Sequence, residues 1–300
     1  MALRLKPNKH TSKRTKQLVC HEIDASLRDL SQRPLVGQQL DEVVHDVRKR
    51  LKKVRAVLGL VRAELGEKIY KRETACFRES AQPLRDVRDA QALIETLDKL
   101  TRSSSNHLSA RAVADFREFL EARKQNVCDE FENNSLNYNR LLRKLSKARL
   151  HPRKWELGRV DWSVLRHGLK HVYVAGSRAF VVASANQTAE HLHEWRKKVK
   201  CFWYQLQVLR PVWQHTRDEL GRELDALAET LGEDHDLAIL HQVVKTEAIA
   251  AGHDTELVDL TIVIDDRRSE LERAAFELGR QVYGRRPKAL MDQIERWWKA

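Results

Sequence analysis

Residues that break regular structure are scarce. Gly and Pro number 11 and 6 in 300 residues, less than half their ordinary share of about 12 %. Sandwiches and barrels need many turns, so an all-β fold is excluded and long helices with short connections are expected. Aromatics are few, at 19 residues, which leaves little for a surface that stacks bases. The four cysteines (Cys20, Cys76, Cys128, Cys201) are far apart. They form no CxxC or Cys/His group, so neither zinc nor a cofactor is expected, and each reads as a small apolar, reduced core residue. No apolar run reaches about 18 residues, the longest, 172–185, being interrupted by Arg178, so no membrane-spanning helix and no membrane partner are expected. The first residues lack the apolar core of a secretory leader, which points to the cytoplasm.

Positive charge is plentiful: 55 Lys and Arg against 43 Asp and Glu give a net +12 and a pI near 9.6. Such an excess suits an anionic partner (nucleic acid, a membrane surface or another polyanion), or simply a solvated surface. Hydrophobic residues make up 42 % of the chain, enough for a core.

A basic tail over 1–11, its first ten residues loose, precedes helices expected near 12–31, 40–65, 68–82, 86–102, 108–149, 160–183, 187–210, 215–231, 235–251, 255–283 and 287–299. The breaks fall at Pro34 to Gly37, Pro83, the serine run 103–106, Pro152, Pro211, Gly252 and Gly284 to Pro287. The serine run offers an N-cap, and Asn133-Asn134-Ser135 a place for the fifth helix to bend or split.

The chain repeats once. Val44 to Lys52 aligns with Leu192 to Lys200 at an offset of 148, and Leu84 to Leu93 aligns with Leu231 to Leu240 at an offset of 147. Two segments in one order at nearly one offset indicate duplicated helical halves, 12–150 and 151–300. In each half one helix carries an apolar stripe at spacings of 3 and 4: Val44, Val47, Leu51, Val54, Leu58 and Val61, then Leu192, Trp195, Val199, Phe202, Leu206 and Leu209. Away from the first stripe lie His45, Arg48, Lys49, Lys52 and Arg55; away from the second lie His193, Arg196, Lys197 and Lys200. Like charges one turn apart are destabilising, so a row repeated in both halves makes sense if a bound anion neutralises it. Arg offers phosphate a planar fork, Lys a point charge, and protonated His two donors. Such rows suit a linear run of phosphates and have no means of reading bases. Binding should then strengthen as pH falls toward 6. Arg166 and Lys170, with His171, are candidates on the helix before the second row, and Lys13, Arg14 and Lys16 on the helix before the first.

At these motifs the sequence resembles the CHAD family, the conserved histidine α-helical domain. His45, Arg48, Lys52, Lys53 and Arg55 stand at the positions of its first signature, and His193, Arg196, Lys197, Lys200 and Tyr204 at those of its second. Cys201 and Trp203 occupy two positions that are usually basic. The family's acidic turn looks like Leu84 to Asp89 and Leu231 to Asp236, with Arg85 in place of the first Gly.

The resemblance implies an all-α fold of two helical bundles related by a pseudo-twofold axis around a basic central cavity. It also implies non-catalytic binding of inorganic polyphosphate and association with polyphosphate granules and the proteins gathered there. Tyr204 joins the phosphate contacts on this basis, and Asp89 and Asp236 become structural partners of basic residues. Three other readings compete. Sequence-nonspecific nucleic-acid binding needs the same cations. A metal-dependent HD-type phosphohydrolase would use His45-Asp46 and His235-Asp236, which are not equivalent in the repeat. A helical scaffold for another protein would not need the basic rows.

Overall fold

A computed structural model of the chain describes residues 5–7, 10–32, 34–103, 108–216, 219–250 and 255–300. Among these the fold is all-α. The helices of the first half are α1 (Thr11–Leu30), α2 (Gly37–Leu60), α3 (Arg62–Leu65), α4 (Glu67–Ser80), α5 (Arg85–Ser103), α6 (Ala110–Asn133) and α7 (Ser135–Ala148). The second half has α8 (Trp162–Ala185), α9 (Ala189–Val208), α10 (Arg210–Thr216), α11 (Leu220–Ala250), α12 (Thr255–Tyr283) and α13 (Pro287–Lys299). Short 3₁₀ turns at Gln82–Leu84 and His151–Lys154 carry Pro83 and Pro152 where a missing N–H costs nothing.

Local chemistry explains most boundaries. The side chains of Ser109, Asn134, Asp161 and Thr188 each accept a backbone N–H at the start of a helix, for α6, α7, α8 and α9. Asn134 therefore divides the expected 108–149 helix in two. The expected cap within the serine run lies outside the described residues, and Ser109 caps α6. The expected 40–65 helix stops at Leu60, and Gly66 at φ +72° turns the chain into α4.

Two expectations fail. The break between 231 and 235 does not occur: α11 runs unbroken through Gly232, whereas the break expected at Pro211 falls at Leu209. A single helical Gly costs only about 1 kcal/mol, and Leu231, Asp234 and Leu237 are all buried around it. The segment expected to be a loose tail is anchored at Leu5, which is fully buried and donates its N–H to the Val208 carbonyl at 2.9 Å.

All twelve residues of the two apolar stripes are buried. They place α2 and α9 at the centre of one core that spans both halves. The pairing of helices repeats. α1 packs on α2 as α8 does on α9, α7 on α1 as α13 on α8, α4 on α2 as α10 on α9, and α5 on α6 as α11 on α12. The halves meet where α2 packs on α9 and α8 and where α5 packs on α11. A second apolar cluster, including Leu97, Phe116, Leu240 and Ile264, ties α5 and α6 to α11 and α12.

At the α2–α8 crossing the backbones of the two halves come close together. A Cβ on Gly168 would stand 2.6 Å from both the Cα and the carbonyl oxygen of Leu60. Backbone cannot yield as a side chain tip does, so α8 would have to lift off α2. Gly168→Ala should cost about 2 kcal/mol of stability, read by chemical denaturation. A variant as stable as wild type would mean that the two backbones are free to separate.

Candidate polyanion-binding site

Because the apolar stripes bury one side of α2 and α9, the basic rows are turned away from the core by helical geometry alone. His45, Lys49 and Lys52 are exposed, and Arg48 and Arg55 are half-buried. On α9, Lys197 is exposed, while His193, Arg196, Lys200 and Tyr204 are half-buried. The packing of α2 on α9 brings the rows together at their middles. The charges acting on Lys52 come from Arg48 and Arg55 on its own helix and from Arg196 and Lys200 on α9.

Burial and these four cations push the Lys52 ammonium down to about 8. Lys52 is nonetheless exposed to solvent, so it lies at the surface rather than within the core. Its neighbours respond in the same way. Burial lowers the guanidiniums of Arg48 and Arg55 and the ammonium of Lys200, and Arg196 adds to the effect on Lys200. Burial raises the Tyr204 phenol to about 12 and the Cys201 thiol to about 11. Cys201 thus lies beside Arg55, as an uncharged neighbour to a cation.

Two carboxylates border this cluster in equivalent places. Asp89 on α5 stands 3.9 Å from Arg48, and Asp236 on α11 stands 4.0 Å from Arg196. Both distances suit loose ion pairs that leave donors free. Arg48 also donates to the Ala81 carbonyl at 3.3 Å. The Nε of Arg196 is buried with no hydrogen-bond partner among the described residues. Burial raises the Asp236 carboxyl, but a hydrogen bond from His235 and the charge of Arg196 outweigh it, leaving that carboxyl below its ordinary value.

Toward the N-termini of α2 and α9 the rows have neighbours from their own halves. His45 faces Arg88 of α5, and burial together with that cation lowers its imidazole. His193 stacks on His235 of α11, with centroids 4.7 Å apart and planes 26° apart, and burial with that neighbour lowers it too. Arg88 and His235 are thus equivalent members of the site that the reading of the rows missed. The repeat offset of 147 aligns them and could have found them. Arg78 of α4, which acts on Arg55, was also missed and has no such signal.

Several candidates stand elsewhere. Arg166 is committed to α13, with Asp292 at 2.7 Å and Glu295 at 3.4 Å. Lys170 is exposed on α8, and His171 pairs with Arg62 at 3.0 Å. Lys53 points the other way on α2 and pairs with Glu22 of α1, whereas Lys197 stays in its row on α9, paired with Glu194 of the same helix. Lys16 donates to the Trp155 carbonyl at 2.6 Å. Trp203 is held by Asp225, with the Lys200 ammonium 5.4 Å from its ring centroid. Among the described residues no three His, Cys, Asp or Glu side chains converge as metal ligands would, and no helix is long and apolar enough to cross a membrane.

A set of helices whose pairing repeats, with a cationic row on the central helix of each half, defines a class of all-α domain. The sequence pattern of the CHAD domain matches residues 22–245. The chain belongs to the CHAD domain family. It is similar in fold to the crystal structure of the CHAD domain from the plant Ricinus communis, with a TM-score of 0.61 and 17 % identity, over 100 % of this chain and 95 % of that one. No curated protein matches the chain.

Proposed function

We propose that this protein is a non-catalytic binding module for inorganic polyphosphate, held between the basic rows of α2 and α9. The family is linked in general to polyphosphate binding. The observation that carries the reading is Lys52, surrounded by Arg48, Arg55, Arg196 and Lys200 from both halves. Five cations gathered at one place repel one another, and a dense linear polyanion relieves that repulsion.

In this reading these cations line a basic central cavity between two halves related by a pseudo-twofold axis. His45, Arg48, Lys49, Lys52, Arg55, His193, Arg196, Lys197, Lys200 and Tyr204 contact phosphate, and Arg88 and His235 extend the contact at either end. Asp89 and Asp236 hold Arg48 and Arg196 in place until the ligand arrives. The protein acts in the cytoplasm at polyphosphate granules, alongside other granule proteins.

Salt dependence does not separate polyphosphate from nucleic acid, because both release counterions. Competition does. Bound polyphosphate should resist single-stranded RNA and duplex DNA at equal phosphate concentration, followed by titration calorimetry. Displacement by either at comparable concentration would overturn the reading in favour of nonspecific nucleic-acid binding.

A further inference from the structure

The outer face of α7 is a second cationic row, outside the motifs of the repeat. Between Ser135 and Trp155 the chain has no Asp or Glu. Leu136, Arg140, Arg143, Lys147 and Leu150 follow one another at spacings of 4, 3, 4 and 3, which puts them on one face. All five are exposed, and none of the three cations meets a carboxylate among the described residues. The opposite face of α7, with Leu141 and Leu145, is buried in the core, so the row is held on a fixed helix.

This face is connected to the central site. Arg55, at the end of the α2 row, has Arg78 of α4 as its neighbour. The next residue, Glu79, pairs with Lys144 of α7 at 2.6 Å. Arg140 and Lys147 flank Lys144 one turn to either side. Cations thus lead from Lys52 through Arg55 to Arg78 on α4, and the residue after Arg78 is paired with α7.

We propose that α7 is an auxiliary polyanion-binding surface, over which Arg140, Arg143 and Lys147 hold the part of a long polyphosphate chain that extends past the central rows. The inference rests on the polyphosphate reading above. It makes the protein a reader of chain length. A chain that fits between α2 and α9 uses those rows alone. A longer one gains contacts that are already tethered, and hence at high effective concentration. From His45 to Arg55 the α2 row covers roughly 15 Å and the α7 row from Arg140 to Lys147 roughly 10 Å, by helical rise.

The test compares polyphosphates of about 10 and about 100 units on the wild type and on Arg140→Glu/Arg143→Glu/Lys147→Glu, by calorimetry at fixed salt. Lys68→Glu/Arg123→Glu/Lys288→Glu changes the net charge equally at exposed positions on α4, α6 and α13, and serves as the control. The α7 variant should lose tenfold or more in long-chain affinity and less than about twofold for the short chain, with the control close to wild type for both. Equal losses in the α7 and control variants would reduce the effect to net charge and overturn the proposal. So would an unchanged long-chain affinity in the α7 variant. Leu136 and Leu150 at the ends of the row provide one more outcome. Loss of binding to phosphatidylserine-containing vesicles with long-chain affinity intact would make α7 a lipid-facing surface and also overturn it. Failure of the wild type to bind the short chain would instead count against the central site.

Discussion

Reversing Arg48 and Arg196 together should lower polyphosphate affinity by more than a hundredfold. Each guanidinium is about four-fifths buried, faces the cluster around Lys52 and is held by a carboxylate at 3.9 or 4.0 Å, with the Ala81 carbonyl as a further partner of Arg48. A hydrogen bond to a charged group is worth about 1.5–3 kcal/mol. Losing two, and adding two negative charges beside Lys52, therefore removes roughly two to four decades of affinity. The slope of log affinity against log salt should flatten as well, since fewer counterions are released. Glutamates near Asp89 and Asp236 would add repulsion to the free protein. Arg48→Gln/Arg196→Gln, with unaltered helical circular dichroism, separates loss of contact from loss of fold. Unchanged affinity in both variants would remove the rows from the site.

The second expected result concerns pH. Lys52 loses its proton at about 8 in the free protein, where an ordinary lysine holds it to 10.5. The groups facing it are Arg48 and Arg55 from α2 and Arg196 and Lys200 from α9. A bound polyanion favours the ammonium, so above pH 8 binding must take up a proton. Affinity should then fall with pH, by up to about tenfold per unit, and the fall should begin near 8. Lys52→Arg keeps its charge and should flatten this limb, as measured by calorimetry from pH 7 to 9.5. A profile identical to wild type would mean that Lys52 does not touch the ligand. The same shift acts on folding with the opposite sign. Because the folded-state value lies below the unfolded one, the unfolded chain binds the proton better between about 8 and 10.5. Stability of the free protein should rise with pH through that window, and bound polyanion should remove the rise. His45 and His193 are both held below 6.5. Their added charge therefore strengthens binding at pH values below that, from an imidazole that is mostly neutral at pH 7.

The helices and the two rows could be read from the chain because both depend on periodicity, which local geometry enforces. Apolar residues at spacings of 3 and 4 had to face a core, and His45 to Arg55 and His193 to Lys200 then had to face away from it. Asn134 was legible as a division because its side chain satisfies the N–H groups of a new helix. The gap expected between the helices 215–231 and 235–251 is absent, because α11 continues through Gly232. A lone glycine costs too little to end a helix whose flanking residues are buried. Arg166 had the spacing of a site residue but went to Asp292 and Glu295, carboxylates 126 and 129 positions away in sequence. Nothing local marks that preference.

By itself the sequence determined an all-α fold, an internal repeat of two segments and a cationic face on one helix in each half. Those follow from composition and from the angle between successive residues on a helix. Only the tertiary structure decided that the two faces meet at Lys52, that Arg88 and His235 close the ends of the rows, that Lys53 turns to Glu22, and that Arg78 leads toward α7. These depend on which helices cross and where. The crossing of α2 with α9 and α8 is set by packing over long sequence separations, down to the absence of a side chain at Gly168.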